Sequence, residues 1–358
     1  MLLNVPFIPE TAYVRFLNSI GRHLHSIHFS LEDPALCDAR IRVRTLDEET
    51  LVNLLKGVVG PRKYLLANGR FHSPQGYAEA GELTNLFRRM ERLQAQNVLD
   101  GIVFSDAYLL IALSDAAPDL AARIEAVPSV NFMIDSVQKL DAVLEMIENS
   151  RFRPPGKITL DRLLNRRPTA LSDLAAVIRR RSPDIRIELL ANEGCLNHCP
   201  FRSTHDALIA GANAGLGVDT LRLNRDLGCM RLLLDAPHRI LSSPFIRPED
   251  QFRYNGIADI IKICGRTLGG AFLTRTVSAY VAGRHKGNFL ALLDAANWMA
   301  EKWEIFNEDL PENYFDLLSA CDQLCKDCTT CRDLFRRCAR PRPLLIRDLR
   351  DLKRKDSP

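Results

Sequence analysis

Aromatic residues are scarce, long apolar runs are absent, and the short signatures of familiar hydrolases are missing. Phe, Trp and Tyr make up 7% of the 358 residues, which leaves little surface for stacking successive bases. No stretch approaches the roughly 20 apolar residues of a membrane-spanning helix, so no membrane partner is expected. Met1–Pro9 lacks the basic start and long apolar core of a secretory signal, and a cytoplasmic, reducing location is expected. There is no His-Glu-x2-His helix to carry a catalytic zinc and no Gly-x-Ser-x-Gly elbow to carry a serine nucleophile. No low-complexity tract is visible, nor any internal repeat beyond a strand–helix unit.

What remains is a full-cored globular composition, 46% hydrophobic and 26% charged, with a mild net charge of +4. The basic excess is concentrated late, from Arg336 to Lys355. It reads as a solvated tail, with RNA contact as a second reading. Ten cysteines in a reducing compartment point away from disulfides and toward metal or iron–sulfur ligation.

Short apolar runs alternate with amphipathic helical segments. The runs are Ser26–Leu31, Lys63–Ala67, Asp100–Phe104, Val130–Ile134, Lys157–Leu160, Ile185–Leu190, Arg239–Leu241 and Ile257–Ile263. Helices are expected at Glu10–Ile20, Asp47–Val58, Tyr77–Gln96, Ser136–Glu148, Ala170–Arg181, Pro248–Tyr254 and Asn288–Phe306. Such alternation implies parallel strands with right-handed crossovers. Eight units from His25 to Gly283 span 259 residues, near the roughly 250 of a (β/α)8 barrel. The expected fold is therefore α/β: a (β/α)8 TIM-type barrel over 25–283, with a doubly wound open sheet as the fallback. A capping segment would occupy 1–24, a helical cysteine-rich extension 284–340, and a basic tail 341–358.

In a barrel the loops after the strands open on one face. Those loops would bring together Cys37, Asn68, Asp106, Asp135, Asp161, Arg162, Glu193, Arg247, Cys264 and Arg266. The densest is Glu193-Gly-Cys195-Leu-Asn-His-Cys199-Pro-Phe-Arg202, with His205 just beyond. Two thiols four positions apart, bracketed by glycine and proline, suit a loop around a metal or cluster better than a core position. Cys229, in an insert over Gly211–Pro237, is the best third ligand, and Cys37 or Cys264 the fourth. Glu193, His205, Arg247 and Arg266 are the candidate catalytic residues, with arginine forks suited to an anionic substrate. A second set, Cys321-x3-Cys325-x2-Cys328-x2-Cys331, places four thiols within eleven residues. Its first three have the spacing of radical-SAM enzymes, but the position after the last unit and the fourth thiol favour a closed zinc or iron–sulfur site.

Asn192–Arg202, Ser243-Pro-Phe-Ile-Arg-Pro-Glu-Asp250 and Lys262-Ile-Cys-Gly-Arg266 together resemble a branch of the U32 peptidase family. Glu188 matches the start of that family's better-known signature, while Asn192-Glu193 stands where it has His-Gly. The resemblance implies a TIM-type barrel. It further implies either a collagenase-like peptidase or a [4Fe–4S] protein that supports oxygen-independent hydroxylation of a small molecule or RNA. Cys195, Cys199, Cys229 and Cys37 would then hold the cluster, and Cys321, Cys325, Cys328 and Cys331 a second cluster or zinc. A paralogous U32-like partner subunit belongs to the same expectation. The remaining alternative is a metal-stapled barrel that acts as a scaffold.

Overall fold

A computed structural model of the chain describes residues 1–33, 35–40, 47–72, 77, 80–322 and 324–342. Its centre is a sheet of eight strands: β1 Leu2–Pro6, β2 Leu24–Phe29, β3 Arg62–Ala67, β4 Gly101–Phe104, β5 Glu125–Pro128, β6 Lys157–Thr159, β7 Arg186–Leu190 and β8 Ile260–Lys262. All neighbours pair in parallel, in the order β5-β4-β3-β2-β1-β8-β7-β6. The seam lies between β5 and β6, where Glu125 bridges in parallel to Arg153. The Glu125 carboxylate also accepts from the Gly156 amide at 3.2 Å and from the Tyr64 hydroxyl at 2.9 Å. The result is a nearly closed (β/α)8 barrel.

Three strand positions differ from the sequence expectation. The barrel begins at Leu2–Pro6, inside the expected cap, because this short proline-ended run offers too few residues to show a period. Val130–Ile134 is not a strand: β5 is Glu125–Pro128, and Val130–Phe132 is a 3-10 turn after it. A buried glutamate and a terminal proline disguise β5. Arg239–Leu241 lies in a 3-10 helix, Pro237–Ser242, buried for packing and not for pairing. The helix expected over Asn288–Phe306 resolves into two 3-10 turns and a strand, and Pro248–Tyr254 is also 3-10. Of the basic tail, residues 343–358 lie outside the described residues.

Outward strand residues such as Val5, Ile27, Phe104, Ile187 and Ile261 pack on helix residues including Leu17, Leu86, Leu109, Leu171 and Leu273. The lumen is divided. Tyr64, Leu66, Val103 and Val127 form a small apolar cluster on the β3–β5 side. The other side is polar and centres on Glu188. Its carboxylate accepts from Lys157 Nζ at 2.7 Å, Asn4 Nδ2 at 2.8 Å and Thr159 Oγ1 at 2.8 Å, with Lys262 Nζ at 3.6 Å. Lys157 also donates to Ser26 Oγ at 3.0 Å and lies 4.7 Å above the Tyr64 ring.

Beyond the barrel, β9 Trp303–Ile305 and β10 Ala339–Pro341 form an antiparallel ribbon. Helices Tyr314–Ser319 and Thr330–Cys338 lie between them in sequence. Tyr314 docks this extension: its hydroxyl donates to the Leu241 carbonyl at 2.8 Å, and the Arg247 guanidinium stacks 4.7 Å from its ring.

Glu188→Ala should destabilise the barrel by about 3–5 kcal/mol, because it strands buried lysines without their anion. The double change Glu188→Leu with Lys157→Met should recover much of that loss. Urea unfolding measures both, and a cost below about 1 kcal/mol for the single variant would show that the lumen is relaxed or wet.

Candidate active site at the carboxyl rim of the barrel

The loops after β7 and β8 are joined by one side chain. Asn192 donates through Nδ2 to the carbonyls of Cys264 (3.1 Å) and Leu292 (2.9 Å), and its Oδ1 accepts from the Cys264 amide at 2.7 Å. Gly194 then turns the chain at φ +76°, where a Cβ would come within 3.0 Å of Leu293. Gly265 sits at φ +118°, with no room for a Cβ against Phe272. Glycine is required at both turns by conformation and by space.

These turns frame a cavity of about 50 Å³ at the barrel mouth, lined by His28, Arg40, Glu193, Lys262, Cys264, Arg266 and Asp294 among others. Charges alternate along its rim. Arg40 pairs with Asp294 at 2.8 Å and with Glu193 at 3.3 Å. Glu193 also meets Arg162, whose Nη1 lies 3.5 Å from Cys195 Sγ. Arg266 pairs with Asp38, and Arg202 with Asp161 at 3.1 Å.

The thiols divide into three neighbourhoods. Cys195, Cys199 and Cys229 form a run in which Cys199 is electrostatically coupled to both others. Burial pushes the Cys195 thiol up, while Arg162 and Arg40 pull it down; burial likewise raises Cys199, against Arg162 and Arg202. Cys264, at the mouth, shares Arg40 and Arg162 with Cys195. Cys37 is fully buried and donates to the Ala210 carbonyl at 3.7 Å. The C-terminal four, Cys321, Cys325, Cys328 and Cys331, line a separate cavity of about 660 Å³ together with Leu196 and His198 of the rim loop. There Cys331 is raised to about 11 by burial and by the other three thiols. Among the described residues no three His, Cys, Asp or Glu side chains are already drawn together as a metal-holding group.

Of the expected catalytic residues, Glu193 and Arg266 stand at the mouth. His205 does not line it: its Nε2 lies 2.8 Å from Asn224 Nδ2, and Asn224 Oδ1 faces Cys229 Sγ at 3.9 Å. Arg247 is buried elsewhere, with Nε and Nη2 on Asp250 at 2.7 and 2.9 Å. The neighbouring Glu249 accepts from the His285 amide. Sequence reasoning missed Arg40, Asp294 and the polar lumen. The lumen left a signal: Ser26 and His28, then Lys157 and Thr159, are polar at period two inside strands.

Eight parallel strands with thiols, guanidinium groups and carboxylates at the carboxyl rim define a (β/α)8-barrel protein with its polar centre where such barrels carry active sites. No family model matches the chain. It is 30% identical over 246 residues to an uncharacterized protease of Methanocaldococcus jannaschii, an alignment covering 67% of each chain. Among solved structures, a U32 peptidase superposes with a TM-score of 0.47 at 14% identity, over 74% of this chain and 92% of the other. A putative α-L-fucosidase of Bacteroides thetaiotaomicron gives 0.33 at 10% identity, over 60% and 82%. The chain belongs to the U32 peptidase family. Among the described residues no helix is long and apolar enough to cross a membrane.

The buried imidazoles set an acid limit. Burial first, then Lys157, lowers His25 to about 4, and burial with Lys262 lowers His28 well below its ordinary value. Below the unfolded value of roughly 6.5, the unfolded chain takes up protons that these rings refuse, so stability falls as pH drops toward 4. Glu188 acts lower: burial raises it, but Lys157 and Lys262 outweigh that and hold it at about 2. Its contribution is complete above the unfolded value near 4.5 and is lost as pH falls to about 2. Melting temperature should therefore decline from pH 7 to 4, and His25→Gln should flatten that limb. An unchanged slope in the variant would show that His25 is not held neutral.

Proposed function

We propose that this U32 protein is an iron–sulfur enzyme whose rim thiolates hold a [4Fe–4S] cluster and which supports an oxygen-independent hydroxylation, or a related modification, of a small molecule or RNA. The observation that carries the reading is the run Cys195–Cys199–Cys229 beside the guanidinium groups of Arg162, Arg202 and Arg40. A cluster on four thiolates is an anion, and fixed cations nearby stabilise ligated thiolates as they would free ones. Cys264 is the better fourth ligand, because it shares Arg40 and Arg162 with Cys195, whereas Cys37 lies under the helix Arg202–Asn213. When bound, the cluster supplies one-electron chemistry at the rim.

The chain's own residues do the rest. Arg40 holds Glu193 and Asp294 in place, and Glu193 in turn orients Arg162 toward Cys195. Lys262 and Arg266 offer positive charge to a bound anion. The C-terminal cysteines hold zinc or a second cluster that staples the extension.

Cys195→Ser or Cys199→Ser should remove the rim cluster's share of iron, sulfide and visible absorbance from anaerobically reconstituted protein while circular dichroism stays native. Cys325→Ser or Cys328→Ser should chiefly lower melting temperature, because a structural metal contributes folding free energy directly. Full iron and sulfide in the first pair of variants would refute the rim cluster and leave a metal-stapled scaffold as the reading. The name of the Methanocaldococcus relative favours a peptidase as the second reading. Hydrolysis of gelatin or casein by metal-free protein, lost in Glu193→Gln, would establish it instead.

A further inference from the structure

We infer that His28 is a fixed proton acceptor at the floor of the mouth, and that the mouth takes a small protonated oxyanion, a ligand carrying an O–H beside its negative charge. The inference rests on the mouth being the working site, and not on the cluster.

The argument starts from Glu188, which as a carboxylate can only accept hydrogen bonds. Asn4 stands 2.8 Å from it, so the Asn4 amide must turn Nδ2 toward Glu188. That choice fixes the rest of the chain. Asn4 Oδ1 then faces His28 Nδ1 at 3.0 Å, and an amide oxygen can only accept, so Nδ1 carries the hydrogen. A neutral imidazole protonated at Nδ1 has a lone pair at Nε2. The ordinary ambiguity of amide and imidazole orientation is removed here by the carboxylate at the end of the line.

Two further features place and protect that lone pair. His28 lines the mouth cavity, and among the described residues its Nε2 has no protein hydrogen-bond partner. The charged groups facing the ring are Lys262 on β8, Arg266 just after it and Lys157 on β6, with Glu188 on β7 reached through Asn4 on β1. Burial first, then Lys262, Arg266 (itself paired with Asp38) and Lys157, disfavours an imidazolium, so the acceptor persists across neutral pH.

The mouth thus sets cations and an imidazole acceptor beside the carboxylates of Glu193 and Asp294, which are already committed to Arg40 and Arg162. Lys262 has only a long contact to Glu188, 3.6 Å, whereas Arg40 is already paired with Asp294 and Glu193, and Arg266 with Asp38. An oxyanion satisfies Lys262, but its oxygens would meet the Nε2 lone pair unless one bears a hydrogen. Hydrogenphosphate meets both demands; a phosphate monoester does so only as its monoanion, below its second pKa of about 6. Sulfate meets only the first.

Long-range ¹H–¹⁵N spectra of histidine-labelled protein between pH 6 and 8 test the tautomer, with inorganic phosphate and sulfate as probes. His28 should appear as the Nδ1–H form without titrating, and His28→Gln should remove that signal. Phosphate should shift Nε2, and sulfate should do so at concentrations higher by roughly tenfold or more. Lys262→Met should abolish the phosphate shift while preserving the tautomer, which keeps the test open if His28→Gln folds poorly. An Nε2–H form, titration near the ordinary histidine value, no phosphate shift, or equal response to both anions would each overturn the inference. Failure of the cluster reading shows separately, in iron and sulfide content.

Discussion

One carboxylate inside the barrel organises both the fold and the site. Glu188 sits on β7, yet its donors come from β1 and β6, with a second cation on β8. Strands far apart in sequence are thereby held at a common height in the lumen. A buried ion pair is weak evidence for net stability, since desolvation offsets most of its attraction. Its stronger effect is on specificity: a lumen with this charge arrangement accepts only the register that brings these strands together. The same anion orients Asn4, so the polarity of the barrel floor is set from below.

Above that floor the rim is built from alternating charges rather than from a nucleophile and base. Asp294, Arg40, Glu193 and Arg162 follow one another to Cys195, each in contact with the next. In such a chain each group is neutralised by its neighbours, yet the positions of all are coupled. Displacing Glu193 would free Arg162 and leave Arg40 to Asp294 alone. The thiols at the end of the line inherit a positive environment without being ionised by it, because burial still outweighs the guanidinium groups.

The barrel was legible because strand-end polarity and the strand–helix alternation survive in single residues. Six of the eight strands overlap the apolar runs, whereas β1 and β5 do not. In Leu2–Pro6 and Glu125–Pro128 a short length, a buried acid and terminal prolines hide the pattern. Conversely, Arg239–Leu241 is apolar because it packs under the C-terminal extension and Val130–Ile134 because it borders the mouth, and burial alone does not distinguish a strand from a 3-10 turn. Glu193, Arg266 and the rim thiols were legible as loop residues after strands. Arg40 and Asp294 were not, because only the closed barrel brings positions 254 apart into one ion pair. Arg247 was misplaced for the opposite reason: its fork is taken by a carboxylate three residues away.

Asn192 gives the two cysteine sets different starting points. By accepting from the Cys264 amide and donating to its carbonyl, its side chain behaves as one more peptide group, extending the β7–β8 ladder past its last backbone pair. Cys264 therefore belongs mechanically to the sheet, and little conformational freedom remains to be lost when its sulfur is engaged. Cys325 and Cys328 stand exposed in an irregular segment and begin with that freedom intact. Under the proposed cluster reading, loading the rim would therefore be close to a rigid-body fit, while loading the extension would be a local folding event with the larger entropic cost.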